Sequence, residues 1–137
     1  MRAADVAIAK TRREPWTLSQ MPDQTGRLAV VTGANSGLGF LTVRELARRG
    51  ADVVMTARDS DRGERALTRL RAELPGAKVV LRRLDLADLA NVAAFADWLV
   101  AEGRPVDLLV NNAGVMMPPR GLTRQDHETQ FGVNHLA

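Results

Sequence analysis

The sequence predicts an α/β fold in which helices cover a parallel sheet. From Leu28 onward, short apolar runs alternate with segments whose apolar residues recur every three or four positions. The runs are continuous, as in strands that are buried on both faces. Gly50 and Pro75-Gly76 follow the first two helical segments, where glycine and proline stop a helix. Four such strand–helix units can be counted before Ala137.

Each element has its own local justification. In the first helix, Leu38, Leu41 and Leu46 are expected to face the sheet. In the third helix the stripe is Leu89, Val92, Ala93, Ala96, Leu99 and Val100, with Phe95 and Trp98 interpreted as packing residues. The predicted strands are residues 28–32, 52–57, 78–84 and 106–110, and the predicted helices are 36–49, 60–74, a third from about 89, and a last one from near Thr123.

Residues 1–26 are predicted to be an N-terminal extension, and residues 27–137 to be the domain itself. The extension mixes charges with Pro15, Pro22 and Gly26 and shows no sustained periodicity. Trp16 is the candidate for anchoring it to the domain. Its longest apolar run, residues 6–9, is too short for a signal peptide, and no stretch approaches the roughly 20 apolar residues of a membrane helix.

Composition favours one domain with a balanced surface. The hydrophobic share is 45%, enough for a core in 137 residues. The net charge of +3 arises from 19 basic and 16 acidic residues, so a nucleic-acid partner is not expected. The sequence has no cysteine, which permits a reducing compartment, and cytoplasm is the expected location. Most basic residues are interpreted as solvated helix faces, among them Arg44, Arg48, Arg49, Arg65, Arg69 and Arg71.

A glycine-rich turn joins the first strand to the first helix. Gly33, Gly37 and Gly39 stand where missing side chains permit a tight turn, the approach of a pyrophosphate and close helix packing. The N-terminus of the helix then offers free N–H donors to phosphate. The G-x-x-x-G-x-G spacing departs from the generic dinucleotide fingerprint, although its strand–turn–helix setting is right. Three glycines in an ordinary turn remain the alternative.

The turn that begins at Thr32, together with Asn111-Asn112-Ala113-Gly114 after the fourth strand, resembles the short-chain dehydrogenase/reductase family. The resemblance covers residues 28–137 and is closest to the retinol-dehydrogenase-like and protochlorophyllide-reductase-like branch. It implies a Rossmann-type doubly wound parallel sheet, here truncated after about four βα units, with strand order 3-2-1-4. The fourth strand would then be an unprotected edge, prone to pairing with another chain.

The resemblance also implies a cofactor site for a dinucleotide. Residues implied to surround its phosphates are Gly33, Ser36, Gly37, Leu38 and Gly39; Asp85 and Leu86 would contact the adenine; Asn112, Ala113 and Gly114 would line the ribose. Asp85 follows strand three at the carboxyl edge, where doubly wound sheets hold ligands. Its alternative role is to cap the turn that follows.

NADP is the expected cofactor, and NAD is the alternative. The end of strand two, where an acidic residue would grip the ribose of NAD, carries Ala57 followed by Arg58. A guanidinium there can bind a 2′-phosphate through paired, charge-assisted hydrogen bonds. Asp59 lies close enough to this position to bind the ribose of NAD, so NAD stays an alternative. The alternative for Arg58 is a solvated turn residue.

Asn134, twenty positions after Gly114, resembles the asparagine of the family's catalytic tetrad, which helps to hold a water in the proton relay. The alternative is a helix residue bonded to backbone. The family's tyrosine and lysine follow this point, whereas this sequence has no tyrosine and its only lysines are Lys10 and Lys78. Neither His127 nor His135 has a catalytic context, and no metal-ligand spacing involves them.

Two functions compete on this basis. The first is the cofactor-binding N-terminal part of an NADP-dependent short-chain oxidoreductase, which interconverts an alcohol and a carbonyl and is inactive alone because the proton donor is missing. The second is a non-catalytic nucleotide-binding or interaction module that pairs through its exposed sheet edge. Both share the cofactor residues, and self-association is an expectation of either.

Overall fold

The computed structural model describes residues 15–137. Its strands are β1 (Leu28–Val31), β2 (Asp52–Ala57), β3 (Val79–Arg83) and β4 (Leu108–Val110). All neighbours are parallel and the order is β3-β2-β1-β4. The predicted fold class and the implied strand order are therefore confirmed.

Helices cover both faces of the sheet. They are α1 (Gly37–Arg48), α2 (Ser60–Glu73), α3 (Leu89–Ala101) and a short α4 (Thr129–Phe131) that continues as a π-helical turn, Gly132–Leu136. Alternate residues of β1 pack in opposite directions: Ala29 and Val31 belong to the core under α1 and α2, whereas Leu28 and Val30 face α3. The central strand is buried along its whole length because it is covered on both sides.

The face that α1 buries differs from the prediction. Phe40, Val43 and Leu46 pack into the core, but Leu38 is 77% exposed and Leu41 is 41% exposed. With 3.6 residues per turn, positions two and five before Val43 lie on the opposite side of the helix. Leucine spacing alone did not show that Phe40 and Val43 define the buried stripe.

On the other face, α3 packs through its aromatic residues. Phe95, Trp98 and Leu99 contact the cluster formed by Leu28, Val30 and Val54, which confirms the packing role of the two aromatics. Val100, placed in the predicted stripe, is instead 80% exposed. Ala93 and Ala96 are exposed as well, so the contact is narrower than the periodicity indicated.

The described part of the N-terminal extension lies against the C-terminal end of α1. Met21 packs against the core, Gln24 is buried, and the Arg49 guanidinium donates to the carbonyl oxygens of Leu18 and Ser19 at 2.8 and 3.1 Å. Trp16, the expected anchor, is 61% exposed. Methionine and arginine contacts therefore hold this segment, and the first 14 residues of the extension lie outside the described range.

The last helix begins at Thr129 instead of near Thr123. Residues 123–127 form a turn in which Thr123 N–H donates to the His127 carbonyl and Asp126 has a φ of +61°. That backbone conformation cannot continue a right-handed helix. Within residues 15–137, no helix has the length and apolar character needed to cross a membrane.

Candidate cofactor site

The three glycines of the turn between β1 and α1 differ in what surrounds them. Gly33 has a φ of +62°, and a Cβ there would lie 2.8 Å from the Cβ of Ala113. A Cβ on Gly39 would lie 2.6 Å from the carbonyl oxygen of Gly33. Gly37 has a φ of +54° but faces open space, since a Cβ there would have no neighbouring atom within 4 Å. Two glycines therefore serve packing, and the third leaves the mouth of the turn clear.

The N-terminus of α1 opens into that clear space. Ser36 is the N-cap residue, but its hydroxyl makes no capping hydrogen bond to the helix. Ser36, Gly37 and Leu38 are all exposed. The first N–H groups of a helix have no partner within the helix and carry its positive dipole end, so this position suits an anion.

A buried threonine joins the two loops of the site. The Thr32 hydroxyl accepts hydrogen bonds from the N–H groups of Asn112 and Ala113 at 3.1 and 3.0 Å. In return, the Asn112 side-chain amide donates to the carbonyl oxygens of Thr32 and Gly33 at 2.9 and 3.2 Å. Asn112 thus uses its amide to hold the glycine turn, and this clamp positions Ala113 and Gly114, the residues predicted to line a ribose.

Asn134 is placed by a second clamp, on the far side of the same loop. Its side chain accepts from the Val115 N–H at 2.8 Å and donates to the Val115 carbonyl at 2.7 Å. These two hydrogen bonds correspond to the alternative given above, in which Asn134 is a helix residue bonded to backbone. The side chain fastens the π-helical turn to the loop after Gly114, and the catalytic role of Asn134 stays a prediction.

A cleft of about 180 Å³ lies above the carboxyl ends of the strands. Gly33, Ala113 and Gly114 line one side of it, and Arg58, Asp85 and Leu86 line the other. The sheet therefore brings members of the predicted phosphate, adenine and ribose groups to one opening, as expected at the carboxyl edge of a doubly wound sheet. The predicted residues that do not line this cleft are Ser36, Gly37, Leu38, Gly39 and Asn112.

The wall that carries Asp85 is held by local hydrogen bonds. One carboxylate oxygen of Asp85 accepts from the Ala87 N–H at 3.0 Å, which is the turn-capping role left open for this residue. The Asp85 N–H donates to the Asn91 side chain at 2.7 Å. Asn91, at the start of α3, thus positions Asp85. The sequence did not reveal this role, because Asn91 stands in the first turn of the helix with nothing that distinguishes it from an ordinary helix residue.

Further along the same wall, residues 120–128 fold back onto α3. The Gln125 side chain donates to Asp88 at 3.0 Å and accepts from the Leu89 N–H at 3.0 Å, while Arg124 pairs with Asp88 at 3.1 Å. The Gln125 hydrogen bond, more than the N-cap bond from Ala90, holds the pKa of the Asp88 carboxyl below its ordinary value. The loop is thereby fixed next to the cleft.

A second, basic depression adjoins the cleft on its α2 side. Asn35 lines both openings, and the depression is otherwise lined by Ser36, Arg62, Arg65, Ala66 and Arg69. Sequence reasoning interpreted Arg65 and Arg69 as solvated, and did not single out Arg62. Three arginines spaced three and four residues apart on the helix after β2 are the signal that would have pointed to it.

These features define a nucleotide-binding α/β domain, and comparison with known proteins gives its family. The family pattern described as short chain dehydrogenase matches residues 27–137, so the chain belongs to the short-chain dehydrogenase family. Retinol dehydrogenase 12 of Mus musculus is 49% identical over 81% of this chain and 35% of its own length. The retinol-dehydrogenase-like branch is thus confirmed, and the chain spans about a third of the length of such relatives.

Solved structures agree with this placement. A structure described as an uncharacterized protein from Mycobacterium paratuberculosis matches with a TM-score of 0.75 and 48% identity, covering 88% of this chain and 42% of that one. A metagenomic short-chain oxidoreductase in complex with NADP matches with a TM-score of 0.62 and 39% identity, covering 68% of this chain and 41% of that one.

Proposed function

We propose that this chain is the cofactor-binding part of an NADP-dependent oxidoreductase that interconverts an alcohol and a carbonyl by hydride transfer. The observation that carries the proposal is the convergence of the glycine turn, the Asn112–Gly114 loop and Arg58 on one cleft. The relative crystallised with NADP adds support from the same family. The nicotinamide ring of the bound cofactor would supply or accept the hydride.

Each wall of the cleft has a chemical part in this proposal. The free N–H groups at the start of α1 would bind the pyrophosphate, with Gly37 leaving room for its approach. The free oxygen of Asp85 would accept from the adenine amino group, since its other oxygen is used by Ala87. Arg58 borders the adenosine side, where its guanidinium would attract a 2′-phosphate.

For the substrate, we propose an apolar alcohol or its carbonyl counterpart. Relatives of this chain are named retinol dehydrogenase and polyprenol dehydrogenase. Met116 and Met117 follow the Asn112–Gly114 loop and are 86% and 89% exposed. Flexible thioether side chains on that loop suit contact with an apolar molecule.

This chain is expected to bind the cofactor but not to catalyse hydride transfer. A carbonyl that receives a hydride also needs a positioned proton donor, and the family's tyrosine has no counterpart among these 137 residues. The purified chain is therefore expected to bind NADPH without consuming it when carbonyl substrates are added. Measurable consumption would contradict this part of the proposal.

Arg58→Ala tests the cofactor preference. Loss of a charge-assisted contact to the 2′-phosphate should weaken NADP binding about tenfold and leave NAD binding nearly unchanged. Titration calorimetry with both dinucleotides measures this effect. Arg71→Ala is the control, because Arg71 lies on α2 but lines neither the cleft nor the basic depression. An unchanged ratio of the two dissociation constants in Arg58→Ala would count against the assignment.

A non-catalytic interaction module is the second candidate, favoured by one observation. Leu109 of β4 is 61% exposed although it belongs to an apolar strand. A partner chain that covers this strand would bury it. Dinucleotide binding does not separate the two candidates, whereas turnover by a longer chain of the same protein would favour the oxidoreductase.

A further inference from the structure

The arginines of the basic depression do not carry equal free charge. Arg62 faces the Asp59 carboxylate at 3.7 Å, and Arg69 faces Glu73 at 3.8 Å. The Arg69 guanidinium also lies over the Phe40 ring, 3.7 Å from its centroid. For Arg65, no carboxylate of residues 15–137 lies within 4.0 Å. The cation of Arg65 is thus the least compensated of the three.

The packing of α2 fixes where Arg65 lies. A Cβ on Gly63 would be 2.8 Å from the Leu81 side chain and 3.2 Å from Ala57, so the helix approaches the sheet as closely as glycine permits. Ala66, next to Arg65, is buried and forms the floor of the depression. The exposed Arg65 side chain lines the depression together with Asn35 and Ser36 of the glycine turn.

The opposite wall offers polar groups that have no other use in the described structure. The Ser36 hydroxyl makes no capping bond, and Asn35 lines both the depression and the cleft. A ligand in the cleft therefore has a continuous path past Asn35 into the depression. NADP differs from NAD by one phosphate on the adenosine ribose, which is the group that could extend that way.

We propose that Arg65 is a further specificity-determining residue, which binds the 2′-phosphate of the dinucleotide from α2 together with the Asn35–Ser36 turn. The inference rests on the proposed function and deepens it. Arg58, which lines the cleft but not the depression, then shares the selection for NADP with a residue of α2 that lies five positions after Ser60. A free guanidinium opposite a hydroxyl and an amide matches the donor pattern that a phosphate dianion requires.

The test is calorimetric titration of the 137-residue chain and its Arg65→Gln variant with NADP⁺, NAD⁺, 2′,5′-ADP and 5′-AMP. The last two ligands differ only by the 2′-phosphate. We expect Arg65→Gln to raise the dissociation constants of NADP⁺ and 2′,5′-ADP about tenfold, and those of NAD⁺ and 5′-AMP less than about twofold. Arg71→Gln, with the same charge change on the same helix, should leave all four unchanged. Thermal melting checks that each variant is folded.

The outcomes separate the inference from the proposed function. Preference for NADP⁺ in the parent chain with no change in Arg65→Gln would overturn the role of Arg65 and leave the proposed function standing. Equal weakening of all four ligands would overturn it too, because the loss would not belong to the 2′-phosphate. A parent chain that binds no dinucleotide would overturn the proposed function, and the inference with it.

Discussion

The Thr32 hydroxyl is the point at which the two loops of the site meet. It is buried, and it accepts from two backbone N–H groups, those of Asn112 and Ala113. Thr32→Val keeps the shape of the side chain and removes this acceptor. The Asn112 N–H also donates to the Val110 carbonyl at 2.9 Å, so Thr32→Val leaves the Ala113 N–H as the group without an acceptor. Leaving a buried N–H unpaired costs about 1–3 kcal/mol, so the free energy of unfolding should fall by about that amount. Urea unfolding measures the loss.

Thr32→Ser provides the matched control, because it retains the acceptor and removes a single methyl group. Its expected cost is about 1 kcal/mol. Dinucleotide binding should also survive in Thr32→Ser and weaken in Thr32→Val. A Thr32→Val variant that is more stable than Thr32→Ser would show that the methyl group, and not the hydroxyl, supports the loops.

Residue types whose role is local were predictable from the sequence. Gly33 and Gly37 were expected in a tight turn, and both have a positive φ. The partners of Thr32 and Asn134 were not predictable, because each reaches a residue 19 to 81 positions away. Arg65 illustrates the same limit, since its spacing on α2 is that of an ordinary solvated face until Asn35 is placed opposite it.

At the scale of elements, α4 depends on a single carboxylate. Glu128 accepts from the N–H groups of Gln130 and Phe131 at 2.9 and 2.8 Å. These bonds, the one from Gln130 first, hold the pKa of Glu128 below its ordinary value of 4.5. Because the folded pKa is lowered, the cap stabilises α4 above pH 4.5 and is lost as the pH falls through the lowered pKa.

The prediction is that the Gln130 and Phe131 amide proton resonances shift together with Glu128, with a midpoint below pH 4.5. NMR titration of the chain measures this. In Glu128→Ala the shifts should disappear, because no carboxylate remains to release the two amides. A midpoint at or above 4.5 would contradict the capping role.

Helix boundaries were predicted best where a residue next to the boundary determines it. The end of α1 at Arg48 was expected from Gly50, which follows two residues later and has a φ of +91°. The start of the last helix was misplaced by six residues because the turn at 123–127 depends on Asp126, a non-glycine residue with a positive φ. Nothing in the spacing of apolar residues reports such a conformation.

For the molecule as a whole, β4 leaves one side of the sheet open in this chain. Within residues 15–137 it pairs with β1 alone, and Leu109 borders an opening with Phe95 and Leu99 of α3. Burying an exposed leucine contributes about 1.5–3 kcal/mol. The 137-residue chain is therefore expected to self-associate, and Leu109→Gln should weaken the association about tenfold. Sedimentation velocity over a range of concentrations measures both.

Leu38→Gln is the control for this experiment. Leu38 is even more exposed than Leu109, but it lies at the start of α1, away from the sheet edge. Its substitution should leave the association unchanged. A parent chain that sediments as one monomeric species at all concentrations would contradict the prediction.

The order of the strands shows what the sequence alone did not contain. Alternation of strands and helices predicted a parallel sheet, and the apolar run of β1 predicted burial on both faces. The order β3-β2-β1-β4 came from the resemblance, because alternation is the same for every order of parallel strands. The placement of the site at the carboxyl edge then followed from the fold.

The Thr32 clamp joins residues 80 and 81 positions apart, and this separation has a consequence for how the chain folds. Contacts that close such long loops lower the rate of folding. β1 and β2 can pair before β4 exists, but the glycine turn acquires its second wall only when β4 docks. During synthesis, the ligand site is thus completed after most of the sheet, and a nucleotide that binds there stabilises the fully docked chain over every earlier species.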